Sequence, residues 1–283
     1  MNHAILLISC PDCKGITAAV TNFIFQNNGN ILHADQHIDD QKNIFFMRVE
    51  WALDDFLIPR DKIEEAFGVI ARRFAMRWTI HFSDQKIRAA IFVSRQLHCV
   101  YDLLYRHSAG YLDCEIPLIV SNHSEVKKLA QDSRIQFFEF PVTKSNKEAQ
   151  EKKEIELLKK EKIDLIILAR YHQILSPSFV RAFPSKIINI HHSFLPAFIG
   201  KNPYLQAYEK GVKIIGATSH YVTEDLDCGP IIEQDTVRVS HRDSLEDLVR
   251  KGEDLERLVL SRAVRWHLER KILGYGNKTV VFD

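Results

Sequence analysis

Between residues 87 and 239, short apolar runs of strand length alternate with helical segments, and no other feature constrains the fold as much. Residues 87–93, 116–121, 136–140, 163–169, 186–191, 212–222 and 231–239 read as strands. Segments 97–106, 125–130, 145–160, 176–182 and 203–210 between them carry helical spacing. Strands buried on both faces lose the polar–apolar alternation of a half-exposed sheet, and crossover helices supply the cover. The expectation is a Rossmann-like, mostly parallel α/β sheet with helices on both faces. Residues 244–273 then read as a long terminal helix, with Lys251-Gly252 marking a candidate break.

The first 83 residues follow a different rhythm. An apolar run at 4–9 ends at the breaker cluster Cys10-Pro11-Asp12, and Gly15 opens a helix with Ile16, Val20, Phe23 and Ile24 on one face. Strands at 30–38 and 44–51, a helix at 61–74 and a strand at 77–81 complete a βαββαβ order, the split βαβ or ferredoxin-like unit. A polar seam at 83–86 separates the two patterns, so the expected domains are 1–83 and 84–283. A chain of 283 residues accommodates both.

Bulk properties exclude several classes of function. A formal net charge of +1 offers no whole-chain attraction for nucleic acid or a membrane surface. The apolar run at 163–169 is strand-length, far short of a membrane span. Met1-Asn2-His3 does not begin a signal peptide. Five scattered cysteines, an odd count without framework spacing, point to reduced thiols and a cytoplasmic protein. Cys10 and Cys13 form an isolated CxxC, better read as small side chains in a turn than as a zinc or redox pair.

Open α/β sheets bind ligands at the carboxyl ends of their strands. Three such ends carry polar residues: Asn189-Ile190-His191-His192-Ser193, Thr218-Ser219-His220, and the loop from Glu224 to Pro230 containing Asp227. Asn189 and His191, two apart in a strand, point the same way. An amide, an imidazole and a carboxylate suit attack of water on an acyl carbon. Each residue also has a structural reading, as a hydrogen-bonded strand end or a turn former. His191, His192, His220 and Asp227 could ligate zinc, although the spacing does not favour it. Ser193 lacks a nucleophile elbow.

The run from Asn189 to Gly200, through Ser193, Phe194, Leu195, Pro196, Ala197, Phe198 and Ile199, resembles the signature of the folate-dependent formyltransferase family. The run from Gly216 to Ile232 continues it. The resemblance implies that Asn189, His191 and Asp227 are catalytic and that His220 and Ser193 support them. It implies that Arg170, Tyr171, His172, Gln173, Ile174 and Leu175, with Glu224, Asp225 and Leu226, hold the folate. In front, Ser9-Cys10-Pro11-Asp12 with Lys14-Gly15-Ile16 and Asn30-Ile31 resembles an ACT domain. ACT domains commonly pair and often bind amino acids, so Asp12, Gly15, Ile16 and Asn30 are candidate effector contacts and a dimer or tetramer is expected. For Asp12 and Gly15 the helix-capping reading competes.

Within that family some members pass the formyl group to an amine and one branch passes it to water. Glycinamide ribonucleotide formyltransferases hold the acceptor phosphate on a glycine-rich turn after the first strand of this fold. Here that turn is Val93-Ser94-Arg95-Gln96-Leu97-His98-Cys99, without glycine. An ACT domain in front of the formyltransferase fold is the arrangement of the hydrolytic branch. The resemblance therefore implies hydrolysis of 10-formyltetrahydrofolate to formate and tetrahydrofolate, with formate feeding purine synthesis and the one-carbon pool in balance. It implies no metal and no cofactor besides the folate substrate. A small-amine formyltransferase and an inactive amino-acid sensor are the alternatives.

Overall fold

A computed structural model describes residues 2–196 and 203–283 of the protein. Ala197, Phe198, Ile199 and Gly200 of the family signature lie outside the described residues. The chain divides into two compact units, one of Met1–Lys86 with Glu269–Tyr275 and Val280–Asp283, the other of Ile87–Leu268 with Gly276–Thr279.

The first unit contains β1 (His3–Pro11), α1 (Ile16–Gln26), β2 (Ile31–Asp39), β3 (Ile44–Ala52), α2 (Ile63–Arg73) and β4 (Arg77–Phe82). The strands lie in the order β2-β3-β1-β4, all antiparallel, which is the ferredoxin-like arrangement. Because strand side chains alternate, Leu6, Ile8, Val49 and Trp51 meet Ile16, Val20, Ile24, Ile63 and Phe67 from the two helices. Gly15 turns the chain into α1 at φ 94, a left-handed conformation that glycine adopts without steric cost.

The second unit contains β5 (Ile87–Val93), α3 (His98–Ser108), β6 (Cys114–Ser121), α4 (Lys127–Asp132), β7 (Gln136–Glu139), α5 (Lys147–Lys160), β8 (Leu165–Leu168), α6 (Pro177–Ala182), β9 (Ile187–His191), α7 (Pro203–Glu209), β10 (Ile214–Tyr221), β11 (Ile231–Arg238) and α8 (Leu245–Leu268). Its sheet order is β11-β10-β9-β8-β5-β6-β7. The five strands β5 to β9 run parallel, whereas β10 is antiparallel to β9 and β11 to β10. Ala90, Phe92, Ile166, Leu168 and Ile187 pack with Leu158 of α5 and Phe179 and Val180 of α6. Helix α8 packs on β9, β10, β11 and α3. From β5 the chain moves to β6 on one side and later to β8 on the other, so a crevice opens at the carboxyl ends of the central strands.

The terminal segment departs from the sequence reading. Helix α8 passes unbroken through Gly252 and stops at Leu268, and a hairpin of β12 (Ile272–Tyr275) and β13 (Lys278–Val281) follows. Gly252 is a site of close packing rather than a break, because a Cβ there would fall 2.1 Å from the Tyr204 hydroxyl oxygen. Gly276-Asn277 is the hairpin signal that the helical reading passed over. Leu273, Tyr275, Val280 and Phe282 return to the first unit and cover Leu7 and Phe46 on the sheet face away from its helices.

Candidate active site

A cavity of about 330 Å³ lies at the carboxyl ends of β8 and β9, lined also by His220 of the antiparallel β10 and by the loop that follows it. Strand β9 presents Asn189 and, two residues on, His191. A register shift in the β10–β11 pairing falls between Ser219 and His220. Such bulges re-aim a side chain, and His220 here turns toward the same cavity. The loop after β10 closes because Gly229 has no side chain: a Cβ would fall 1.7 Å from the Tyr221 carbonyl oxygen. Tyr221 N–H in turn donates to the Pro230 carbonyl at 2.9 Å. That closure carries Asp227, in the left-handed region at φ 53, over the two histidines.

The polar groups form a connected set. Asp227 Oδ2 lies 3.4 Å from His191 Nδ1, and its Oδ1 lies 3.7 Å from His220 Nε2. His220 Nδ1 is 3.0 Å from the Tyr221 carbonyl, and its Nε2 faces both Asp227 and Asn189. Asn189 Nδ2 lies 3.2 Å from that Nε2, and an amide carries two hydrogens, so at least one has no partner among the described residues and can meet a ligand. Burial pushes the Asp227 carboxyl up, but hydrogen bonding and charge at His191 and His220 outweigh it and hold it well below the ordinary value. His191 is 6% exposed, and its Nε2 has no hydrogen-bond partner among the described residues. A histidine tethered at Nδ1 and unpaired at Nε2 is arranged to take and return a proton there.

Other residues singled out in the sequence distribute unevenly. Arg170, Tyr171, His172, Gln173, Ile174 and Leu175 form one wall of the cavity, and Glu224 and Leu226 belong to its rim. Asp225 is exposed and does not line it. Instead, its carbonyl accepts from Thr223 Oγ1 at 3.1 Å and Cys228 N–H at 3.3 Å, shaping the turn that delivers Asp227. Ser193 borders a separate apolar cavity of about 190 Å³, and its carbonyl accepts from Thr218 Oγ1 at 2.8 Å. His192 is pushed down to about 3, chiefly by burial and then by Arg170, so it is neutral at working pH. In the first unit Asp12 and Gly15 sit at the amino end of α1, whereas Asn30 follows its carboxyl end. The 11-residue helix between them spans roughly 16 Å, so one chain does not bring the three together. Ile16 is 1% exposed and belongs to the core.

The sequence reading missed the groups behind Arg170. Gln96 Oε1 accepts from Arg170 Nε at 2.8 Å and Nη2 at 2.5 Å, and Glu256 Oε2 lies 3.4 Å from Nε. Glu256 also meets His98 Nε2 at 2.7 Å and the Tyr204 hydroxyl at 2.6 Å. The available signal was a carboxylate within the apolar stripe of α8, beside Leu255, Val259 and Leu260.

Residues 87–264 match the formyl transferase family. Over 279 residues the chain is 58% identical to the formyltetrahydrofolate deformylase of Synechocystis sp., covering 99% of this chain and 98% of that one. It is 48% identical to the Bacillus subtilis enzyme of the same name, covering 98% and 93%. The crystal structure of a formyltetrahydrofolate deformylase from Pseudomonas syringae pv. tomato superposes with a TM-score of 0.97 at 47% identity, covering 100% of this chain and 95% of that one. Similarity of this depth along both units, and not along the formyl transferase segment alone, places the chain in the formyltetrahydrofolate deformylase family.

Proposed function

We propose that the protein hydrolyses 10-formyltetrahydrofolate to formate and tetrahydrofolate in the cavity at Asn189, His191 and Asp227. The observation that carries the proposal is His191, fixed through Nδ1 by Asp227 and without a partner at Nε2 among the described residues, with Asn189 lining the same cavity. In this reading Nε2 removes a proton from water as the oxygen attacks the formyl carbon. Asn189 Nδ2–H donates to the developing oxyanion, and the Asp227 carboxylate stabilises the imidazolium. The C–N bond then breaks, and the proton held on Nε2 passes to N10 of the departing tetrahydrofolate. The wall from Arg170 to Leu175 with Leu226 holds the pterin. The folate carries the activated group, so neither metal nor nucleotide takes part.

The experiment is formate release from purified protein, with and without candidate amines. Full release without amine is the expected result, unchanged by a chelator. Strict amine dependence would make the protein a transferase instead.

The N-terminal unit is read as an ACT domain, supported by its strand order and by the open turn at Gly15, where a Cβ would meet nothing within 4 Å. Because Asn30 is remote from Asp12 within one chain, an effector contacting both requires two copies, which fits a dimeric or tetrameric enzyme. A small amino acid such as glycine is the proposed effector, and the absence of heat on titrating it at millimolar concentration would remove this assignment. No helix among the described residues is long and apolar enough to cross a membrane. The proposed role, carried by the deformylase reading, is a cytoplasmic one, supplying formate for purine synthesis and balancing the one-carbon pool.

A further inference from the structure

The groups behind Arg170 have no part in the reaction described above. Glu256 is fully buried, at 0% exposure, where an unpaired carboxylate would be strongly disfavoured. Burial pushes its carboxyl up, but His98, Arg170 and Tyr204 more than offset this and keep it ionised. Arg170 is 8% exposed and its backbone lies at φ 62. A non-glycine residue holds that conformation only where its surroundings over-determine it. Those surroundings are identifiable. Gln96 grips the guanidinium at Nε and Nη2, and Glu256 approaches the same Nε. Ser94 N–H donates to the Arg170 carbonyl at 3.2 Å, and Ser94 Oγ accepts from His172 N–H at 3.0 Å. Neither Gln96 nor Glu256 lines the cavity, whereas Arg170 does.

We propose that Glu256, together with Gln96, is a positioning group: its charge holds Arg170 in place and thereby sets the 170–175 wall against which the folate packs. A metal site of His98, Cys99 and Glu256 is the rival use of the same atoms. Burial and the Glu256 charge push the Cys99 thiol well above its ordinary value, whereas a metal requires the thiolate. Both Glu256 oxygens already have partners.

The inference rests on the deformylase reading, so one measurement avoids turnover: the affinity for tetrahydrofolate, read by titration calorimetry. The wall touches ground state and transition state alike, so loosening it raises KM and leaves kcat nearly intact. For Glu256→Gln we expect KM and the tetrahydrofolate Kd to rise about tenfold, equivalent to about 1.4 kcal/mol, with kcat within about threefold of the parent. Adding Gln96→Glu to that variant returns a carboxylate to the guanidinium at the Nε and Nη2 edge that Gln96 already holds, and should restore both constants. A purely structural role gives a different pattern, because it lowers the active fraction: kcat falls, KM stays, and Gln96→Glu rescues nothing. That pattern overturns the proposal. Should Glu256→Gln not fold, Gln96→Leu reports on the same grip, and an unchanged KM and Kd there would overturn it equally. Wild-type protein that releases no formate would sink the hydrolase reading, while the tetrahydrofolate titration would still decide this one.

Discussion

Asp227 occupies a left-handed backbone position and faces two imidazoles, so its carboxylate is held where charge rather than packing decides its role. Its carboxyl is depressed below 3.8, so its contribution to stability is present above that pH and is lost as pH falls through the lower folded value. Asp227→Asn keeps the shape but removes the charge opposite His191, and kcat for formate release should fall roughly 10²–10⁴-fold with the fold retained by circular dichroism. Asn189→Ala removes the proposed oxyanion donor and should cost about 2.7–4 kcal/mol of transition-state stabilisation, seen in kcat rather than KM. Glu154 behaves in the opposite sense to Asp227. It is 1% exposed, and burial followed by the Glu151 charge pushes its carboxyl from 4.5 up to about 7, while the Tyr171 hydroxyl opposes the shift. The protonated form therefore suits the folded state, and stability falls as pH rises from 4.5 through about 7. Glu154→Gln cannot titrate, so above pH 7 it should exceed the parent by up to roughly 3 kcal/mol in urea melts, the gap closing near pH 4.5.

Helix α8 illustrates how an element can be legible in kind and misread in detail. Its apolar stripe was visible in the sequence, and Gly252 looked like an interruption because glycine is a poor helix former. The structure shows a different reason for glycine, since Tyr204 fills the space where a Cβ would be and donates to Glu256 one helical turn further on. Gly252→Ala should therefore destabilise the protein by about 1–3 kcal/mol from overpacking, against the ~1 kcal/mol that alanine ordinarily gains in a helix. A raised urea midpoint would show that the contact matters less than helix propensity. The loop from Glu224 to Pro230 works similarly. Its turn chemistry was evident, but the approach of Gly229 to the Tyr221 carbonyl, which places Asp227, is a contact between segments that pattern alone does not encode.

At the scale of the whole molecule, residues 269–275 and 280–283 return to the N-terminal unit. Arg48 is 3% exposed, and it donates to the carbonyls of Glu269 and Arg270 as well as to Glu50. Phe282 and Tyr275 shield Leu7 and Phe46. Deleting everything after Leu268 should thus weaken the N-terminal unit, with hydrogen bonds to a charged donor contributing about 1.5–3 kcal/mol each. Hydrogen exchange should quicken at β1 and β3 amides and remain slow at β5 and β8. Equal loss of protection in both units would contradict this account.

Up to helix α8 the sequence by itself determined the order of elements, the mostly parallel sheet and the ferredoxin-like unit, because strand and helix periodicities are local properties of the chain. It also determined Asn189 and His191 as partners, since residues two apart in a strand share a face. Tertiary structure alone decided the rest of the site. His191 Nε2 has no partner among the described residues, and Asn189 is tied to His220, because separate strand ends and a loop converge. Arg170 is gripped by Gln96 from the turn after β5 and by Glu256 from α8, positions 160 residues apart that no local pattern relates. Short-range propensity specifies where the chain bends and buries itself; only packing determines which buried charge meets which.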